Sequence, residues 1–292
     1  MDRVAFLGTG LLGSGMVARA LASGTAVTVW NRTASKARAL EAHGAIVANS
    51  PEEAVTAALR VHSVLQDDAA VDGVLEQIAP ALTPDAIVID HSTTSPSGTK
   101  ARFERARQRG IRFMHAPVFM SPQMAREAAG LMMISAARAD YEAVRGALEQ
   151  MTGEAWYLGE RPDLAASYKL FGNAMLFAIS GGLADILAIA TANNINPPDA
   201  LDVFSKWSLA APVLARGQRM ARGDFSPSFA LAMARKDLRL MLEAAEGRPL
   251  VALPALAQRM DEVIAAGHAG DDLAAIAAPV LAAAKSAVQE TP

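Results

Sequence analysis

Lys169 and Asn173 lie four positions apart in a long apolar stretch, so both side chains share one face if that stretch is helical. Their neighbours Leu170, Phe171 and Met175 are apolar. A lysine held against such a face is partly desolvated, and it can donate a proton to a carbonyl oxygen or accept one in the reverse direction. The common alternative is an ordinary exposed helical lysine, and the spacing alone leaves both open.

A glycine-rich segment near the N-terminus has the spacing of a dinucleotide-binding turn. Gly8, Gly10 and Gly13 follow an apolar run and open a helical stretch. The first glycine permits the tight turn, the second lets a pyrophosphate approach the backbone, and the third lets helix and strand pack closely. The helix N-terminus then offers free N–H groups to phosphate. We therefore expect the cofactor to be bound by Gly8, Thr9, Gly10, Leu11, Leu12 and Gly13.

The residues after the second predicted strand indicate which dinucleotide binds. They are Asn31, Arg32 and Thr33, at the place where an NAD site usually carries an acid. An acid would repel a 2′-phosphate, whereas an arginine can pair with it. NADP(H) is therefore favoured over NAD(H), although an arginine can also stack on the adenine of NAD.

The first half of the chain alternates predicted strands and helices. The strands lie at residues 4–7, 27–30, 61–65, 86–90, 111–114, 131–134 and 155–158. The helices lie at residues 12–23, 35–43, 51–59, 71–79 and 98–109. Continuous apolar strands joined by helices predict a parallel sheet covered on both faces, a Rossmann domain over residues 1–162. Ligands bind at the carboxyl ends of such strands, here after Leu7, Trp30, Leu65 and Asp90.

The second half, residues 163–292, is predicted to be an all-α domain. It begins with one long helix at residues 163–192, which joins the two domains. Further helices are predicted at residues 198–207, 213–222, 229–246, 254–266 and 273–287. These helices carry more apolar surface than they can bury alone, so we expect a homodimer or homotetramer formed through this domain.

Composition excludes several classes of protein and site. The net charge of −3 gives no basic excess for nucleic acid, and the absence of cysteine excludes disulfides and thiolate chemistry. The five histidines lack metal-site spacing, so no metal is expected. The first apolar run is too short for a signal peptide, and no 18 consecutive residues are apolar. We expect a cytoplasmic protein with a small-molecule partner and no membrane span.

Motifs along the whole chain resemble the β-hydroxyacid dehydrogenase family, which includes 3-hydroxyisobutyrate dehydrogenase and glyoxylate/succinic semialdehyde reductases. They are FLGTGLLGSGM at residues 6–16, NRT at 31–33, DHSTTSP at 90–96, APV at 116–118, KLFGN at 169–173 and KDL at 236–238. The resemblance implies that Lys169 is the catalytic acid/base and that Asn173 holds the lysine or the substrate oxygen.

The same resemblance implies further contacts with the cofactor. Thr93 is expected beside the nicotinamide or its ribose, and Lys236 is expected to reach the bound cofactor. Leu65 and Gln66, which end the preceding strand, are expected to border the cofactor through their backbone.

The chain departs from the family in its substrate loop. The family usually continues Ala-Pro-Val with Ser-Gly-Gly, and this chain reads Phe119-Met120-Ser121-Pro122. Either Ser121 fills the serine role after a two-residue insertion, or Phe119 occupies that place and the pocket floor is apolar. Without the two glycines, the loop lacks easily approached backbone N–H groups that would hold a carboxylate. The loop therefore disfavours a small hydroxy acid as substrate and favours a larger or less acidic carbonyl compound. The expected substrate-binding residues are Phe119, Ser121, Pro122, Lys169 and Asn173.

These observations predict an NADP(H)-dependent oxidoreductase that transfers hydride between nicotinamide and a small carbonyl or hydroxy compound. Two alternatives remain. One is an imine reductase, which has a similar fold but typically lacks the lysine. The other is a non-catalytic dinucleotide-binding protein, a class in which the lysine is commonly lost.

Overall fold

The chain divides into two compact units in the computed structural model, which describes residues 3–289 and the side chains up to residue 283. The first unit ends at Asn173 and the second begins at Ala174. The predicted boundary between residues 162 and 163 lies just before helix α8 (Leu164–Ala192). The first part of this helix, residues 164–173, therefore belongs to the first unit.

A nine-stranded sheet forms the centre of the first unit. The strands are β1 (Arg3–Leu7), β2 (Ala26–Trp30), β3 (Ile46–Val47), β4 (Arg60–Ser63), β5 (Ile87–Asp90), β6 (Arg112–His115), β7 (Val118–Phe119), β8 (Leu131–Ser135) and β9 (Glu154–Gly159). Their order is β3-β2-β1-β4-β5-β6-β8-β7, and β9 pairs with β8. The predicted parallel sheet is confirmed from β3 to β6.

Strand β8 differs from the prediction because it runs antiparallel to β6 and β7. His115 lies opposite Ser135 and Val118 opposite Met132, so β6 and β7 continue along β8 in one register. Parallel pairing of β7 with β8 would need a crossover of about a dozen residues or more. The short connection at residues 120–130 instead returns the chain in the opposite direction.

Seven helices of the first unit connect these strands. They are α1 (Leu11–Ala22), α2 (Ala34–Arg38), α3 (Pro51–Val55), α4 (Asp68–Ile78), α5 (Pro96–Gln108), α6 (Pro122–Arg126) and α7 (Arg138–Glu149). Adjacent residues of β1 face opposite sides of the sheet, so Phe6 and Leu7 lie in two different apolar clusters. The sheet is therefore covered on both faces, as a doubly wound sheet requires.

The sequence patterns missed or lengthened several short elements. Helices α6 and α7 and strands β3 and β7 were not predicted. The predicted helix at residues 35–43 is α2 followed by a 3₁₀ turn at Glu41–His43. Gly44, at φ 96°, ends that turn in the left-handed region, as a C-terminal glycine does.

The second unit is helical, as predicted. After α8 it contains α9 (Pro197–Ala200), α10 (Val203–Lys206), α11 (Ala210–Arg222), α12 (Leu231–Ala244), α13 (Leu253–Val263) and α14 (Ala278–Gln289). The predicted helix at residues 198–207 is divided between α9 and α10, and that at 273–287 begins as a 3₁₀ turn. Helices α12 and α13 pack through an apolar cluster that contains Leu231, Leu238 and Met260.

A buried carboxylate, Asp272, organises one end of this unit. Its oxygens accept hydrogen bonds from the backbone N–H groups of Ser228, Phe229 and Ala274. Burial raises the pKa of Asp272, but these bonds and one from the Ser228 hydroxyl outweigh it and hold the pKa well below its ordinary value. The ionised carboxylate therefore fixes the loop before α12 to the 3₁₀ turn at Leu273–Ala277.

Helix α8 is long and apolar enough, by length and composition, to cross a membrane, and it is the one such helix among the described residues. The sequence predicted this long helix but did not single it out as a candidate span, because polar residues interrupt its apolar run. Its Asp185 is 1% exposed and accepts backbone hydrogen bonds from Val251, Ala252 and Leu253. This part of α8 therefore packs against residues of its own unit.

Candidate active site

The carboxyl ends of five parallel strands lie side by side. Leu7 is opposite both Trp30 and Ser63, Ser63 is opposite Asp90, and Asp90 is opposite His115. The chain segments that follow β1, β2, β4 and β5 therefore leave the sheet along one edge. These are the segments in which the sequence places the cofactor-binding residues.

The three glycines of the first turn each meet a different structural requirement. Gly8 has φ 98°, and a Cβ there would collide with the carbonyl oxygen of Val64. A Cβ at Gly13 would collide with the carbonyl oxygen of Gly8, so the helix packs directly on the turn. No atom of the described chain lies within 4 Å of a Cβ built at Gly10. The backbone at Gly10 is therefore open to a ligand, as a pyrophosphate site requires.

The start of α1 also fits a pyrophosphate group. No side chain caps this helix, and Leu11 at its first position is 81% exposed. The N–H groups of the first turn are thus available to an anion, and the helix dipole favours negative charge there. Leu12 is half-buried and packs on the core of the sheet, which fixes the direction of the helix.

The three residues after β2 have separate roles. Asn31 accepts a 2.9 Å hydrogen bond from the N–H of Thr9, and its amide donates to the carbonyl oxygen of Thr33 at 3.0 Å. The Asn31 side chain therefore holds the glycine turn against the end of β2. Arg32 and Thr33 are exposed, so Arg32 presents a cation beside the turn.

A buried carboxylate connects the loops that follow β4 and β5. Asp90 is fully buried and accepts hydrogen bonds from the hydroxyls of Ser63 at 2.8 Å and Ser92 at 2.6 Å. The Ser92 hydroxyl oxygen in turn accepts one from the N–H of Leu65 at 2.9 Å. Burial raises the pKa of Asp90, but His115 and the two serines outweigh it and lower the pKa. The ionised Asp90 thus fixes the relative position of the two loops.

Gln66 and Thr93 are exposed and directly follow the residues that this network holds. Sequence reasoning quoted Asp90 in a motif but assigned it no role, and it missed Ser63. The sequence does contain a signal for the role of Asp90, because it ends a strand and Ser92 follows two positions later. An Asp in such a place commonly accepts hydrogen bonds from the turn that follows it.

The beginning of α8 is anchored to the same region of the sheet. The N–H of Ala165 donates to the Ser135 hydroxyl at 3.0 Å, and Ser135 lies opposite His115. Lys169 follows Ala165 by one helical turn, and Asn173 follows Lys169 by another. The predicted shared face of Lys169 and Asn173 is therefore present, because both lie in α8.

The ammonium group of Lys169 has two partners from the strand β7. It donates a 2.8 Å hydrogen bond to the carbonyl oxygen of Val118, and it lies 4.0 Å from the centroid of the Phe119 ring. Burial lowers the pKa of Lys169. This arrangement gives a half-buried, preorganised proton donor, which is what transfer to a carbonyl oxygen requires.

Phe119 is closely packed at two points, its ring and its carbonyl oxygen. A Cβ at Gly172 would collide with the ring, so α8 lies directly against it. Gly130, at φ 92°, lies close to the Phe119 carbonyl oxygen and would bring a Cβ into contact with it. The chain before and after Phe119 is therefore held in place, and the ring occupies the space beside Lys169.

Ser121 and Pro122 form the start of helix α6. The Ser121 hydroxyl oxygen accepts the N–H of Met124 at 3.1 Å and caps the helix, whose first residue is Pro122. A Cβ at Gly15 would lie 2.6 Å from the Pro122 carbonyl oxygen, so α6 packs closely on α1. The loop therefore brings Phe119 to Lys169, whereas the Ser121 hydroxyl takes part in a helix cap.

Lys236 lies in the second unit, on α12. Its side chain is 46% exposed, and its ammonium group forms a 2.7 Å ion pair with Asp237. Asp237 therefore pairs with Lys236 on the surface of α12. Within residues 3–289, no group of three or more His, Asp or Glu side chains has the arrangement of a metal site.

Comparison with known proteins assigns both parts of the chain to sequence families. Residues 3–159 match the NAD binding domain of 6-phosphogluconate dehydrogenase. Residues 164–280 match the NAD-binding region of NADP-dependent 3-hydroxyisobutyrate dehydrogenase.

Two curated relatives represent different kinds of protein. Glyoxylate/succinic semialdehyde reductase 1 of Arabidopsis thaliana is 29% identical over 247 residues, which cover 82% of this chain and 84% of the relative. Cytokine-like nuclear factor N-PAC of Homo sapiens is 32% identical over 246 residues, which cover 82% of this chain. The match spans only 44% of the nuclear factor.

Among solved structures, the imine reductase from Myxococcus stipitatus in complex with NADP⁺ has a TM-score of 0.86 at 21% identity. The similarity covers 94% of this chain and 98% of that one. A V8 variant of that imine reductase, in complex with NAD⁺, has a TM-score of 0.83. At this level of identity the similarity establishes the fold.

Proposed function

The chain belongs to the β-hydroxyacid dehydrogenase family, and we propose that it is an NADP(H)-dependent reductase of small carbonyl compounds. In this proposal Lys169 is the general acid in reduction and the general base in the reverse oxidation. The observation that carries the proposal is the half-buried ammonium group of Lys169, held by the Val118 carbonyl oxygen and the Phe119 ring.

Lys169 supplies the proton of the reaction. NADPH, which would be held at the glycine turn from Gly8 to Gly13, would supply the hydride. Lys169 Nζ donates a proton to the carbonyl oxygen as that oxygen gains negative charge, and the product is an alcohol. In oxidation the neutral amine accepts the hydroxyl proton. The lowered pKa of Lys169 supports both directions, because an acid/base works best when its pKa approaches the working pH.

The preference for NADP(H) rests on the exposed guanidinium of Arg32. The residue before it, Asn31, is neutral and is hydrogen-bonded to Thr9 and Thr33, so no carboxylate stands at this position to repel a 2′-phosphate. Arg32 can pair with that phosphate and stack on the adenine ring.

A carbonyl substrate fits the site better than an imine does. An iminium carbon–nitrogen bond is cationic when it is activated for hydride attack. The ammonium group of Lys169 would repel such a cation at short range, whereas it stabilises the negative charge that develops on a carbonyl oxygen.

The test is an NADPH-oxidation screen with the purified protein over aldehydes, ketones, 2-oxo acids and cyclic imines. We expect turnover of carbonyl compounds, with kcat/KM values well above those for imines. Faster reduction of imines than of carbonyl compounds would contradict this proposal and identify the protein as an imine reductase. NADPH binding without turnover of any compound would favour a non-catalytic dinucleotide-binding protein.

The proposed quaternary structure is a homodimer formed through the apolar surface of α8. Phe171, Leu176 and Phe177 on this helix are 65%, 56% and 70% exposed. Side chains of this size rarely remain exposed together on a soluble monomer. A second copy is favoured over a lipid surface, because the same helix carries Lys169 and the Asp185 carboxylate.

Light scattering at micromolar concentration tests this assembly. We expect twice the mass of one chain, and we expect Phe177→Glu to reduce it to the mass of a monomer. Glu142→Ala, on the exposed surface of α7, is the matched surface control. A monomeric wild-type protein would contradict the proposal.

A further inference from the structure

The aromatic ring of Phe119 occupies one side of the Lys169 ammonium group. An ammonium group has three N–H donors, of which Lys169 gives one to the Val118 carbonyl oxygen. The ring face takes up a second direction, since its centroid lies 4.0 Å from Nζ. About one donor then remains for a substrate oxygen.

The backbone of Phe119 is fixed in the sheet, and its ring contacts α8. Phe119 pairs with Leu131 in the sheet, and Gly130 lies against its carbonyl oxygen. The far end of the ring contacts Gly172, and it occupies the space that a Cβ at that position would need. The sheet therefore fixes where the side chain of Phe119 begins, and α8 contacts the ring at its far end.

The residues that follow Phe119 offer few groups to an anion. Pro122 has no N–H. The Ser121 hydroxyl oxygen accepts the N–H of Met124 in the cap of α6, so its single O–H is the one side-chain donor between Phe119 and Pro122. Met120 is partly buried and packs on the apolar core of the sheet. The side of the site formed by this loop is therefore mainly apolar.

A substrate carboxylate would be disfavoured in this space for three reasons. It would compete with the substrate's own carbonyl oxygen for the remaining Lys169 donor. It would also lie against the face of an aromatic ring, which carries partial negative charge and repels an anion. The carboxylate would in addition lose hydration without gaining enough hydrogen-bond donors. A hydrocarbon group does not compete for the Lys169 donor, and it packs favourably on the ring.

We infer that Phe119 determines substrate class, and that the site takes uncharged carbonyl compounds whose hydrocarbon part packs on the Phe119 ring, in preference to oxo acids. This inference rests on the proposed function, and it specifies the substrate class of the same site.

The test compares pairs of aldehydes that differ only in charge. With NADPH, kcat/KM is measured for succinic semialdehyde and its methyl ester, and for glyoxylate and its methyl ester. We expect the ester to be preferred in each pair by about tenfold or more, because an unpaired carboxylate is costly to desolvate. A preference for the acids would overturn the inference and leave the proposed function standing. No oxidation of NADPH with any of the four would overturn both.

Two variants assign the preference to Phe119. Phe119→Ser provides a hydroxyl and space for water, so the ester-to-acid ratio should fall toward one. Phe119→Leu keeps an apolar side chain and should keep the ester preference. An unchanged ratio in Phe119→Ser would overturn the role of Phe119. Far-ultraviolet circular dichroism and the dissociation constant for NADPH establish that each variant is folded.

A binding measurement on the wild-type protein does not depend on any variant. Isothermal titration calorimetry with NADP⁺ present compares butyrate with methyl butyrate, which carry no hydroxyl group and cannot be oxidised in this reaction. We expect the ester to bind about tenfold more tightly, for the same desolvation reason. Tighter binding of the free acid would overturn the inference.

Discussion

The backbone N–H of Thr9 donates a 2.9 Å hydrogen bond to the side-chain oxygen of Asn31, which joins the glycine turn to the end of β2. Because the Asn31 amide also donates to Thr33, both ends of this side chain are used within the protein. Asn31 therefore positions the turn, and discrimination between the two dinucleotides falls to its exposed neighbour, Arg32.

Replacement of Arg32 by alanine should weaken NADPH binding much more than NADH binding, because only NADPH loses the pairing with its 2′-phosphate and both lose stacking on the adenine. A charge-assisted hydrogen bond contributes about 1.5–3 kcal/mol, which corresponds to roughly a ten- to hundredfold rise in the KM for NADPH. Steady-state kinetics with both cofactors measure the change, and Lys36→Ala, an exposed cation on α2, is the control. Equal effects on both cofactors would contradict the role given to Arg32.

Gly172→Ala tests the packing of α8 on the Phe119 ring. The new methyl group would displace the ring from Lys169, so kcat/KM for carbonyl reduction should fall by about tenfold or more. The melting temperature should change little, because alanine favours a helix by about 1 kcal/mol over glycine and offsets part of the strain.

Gly146→Ala is the matched control for that substitution. It lies on the exposed side of α7, with no atom of the described chain within 4 Å of the new Cβ. It should raise the melting temperature slightly and leave kinetics unchanged. Equal kinetics of the two variants would contradict the placement of the ring.

The two directions of the reaction should depend on pH in opposite ways. Reduction requires protonated Lys169, so its kcat should fall as pH rises through a pKa lower than that of a free lysine, because burial lowers the pKa of Lys169. Oxidation requires the neutral amine, so its kcat should rise over the same range. Profiles from about pH 6 to pH 10 measure both, and parallel profiles would argue against acid/base catalysis by Lys169.

Asp272 should make the second unit sensitive to acid. Its pKa is held below the ordinary value in the folded state, so the carboxylate contributes stability above about pH 4 that is lost as pH falls through the folded-state pKa. At neutral pH, Asp272→Ala should lower the free energy of unfolding by about 2 kcal/mol or more, since it leaves several N–H groups without their acceptor.

Urea unfolding at pH 7 and at pH 3 measures this contribution. The difference between wild type and variant should be smaller at the lower pH. A difference of equal size at both values would show that the ionised carboxylate is not what stabilises this loop.

The sequence predicted those parts of the site that depend on local patterns. The turn from Gly8 to Gly13 and the shared face of Lys169 and Asn173 follow from spacing within one element, so they could be recognised without any tertiary information. The alternation of strands and helices likewise predicted the strands β1, β2, β4, β5 and β6.

Features that depend on contacts distant in sequence were not predictable. Strand β7 has only two residues, Val118 and Phe119, and is defined by its pairing with β8. The contact between Phe119 and Gly172 joins positions far apart in the chain, and the burial of Asp90 depends on neighbouring strands. A strand-end aspartate looks the same in the sequence whether it faces solvent or holds two loops together.

The central claim is that the Lys169 ammonium group supplies the proton, and Lys169→Ala tests it most directly. Its kcat for NADPH-dependent carbonyl reduction is measured together with the dissociation constant for NADPH, with Lys100→Ala, on the exposed surface of α5, as the control. We predict that kcat falls by about a hundredfold or more, the usual contribution of a general acid, while NADPH binding changes little. A variant that retains the wild-type kcat would contradict the account.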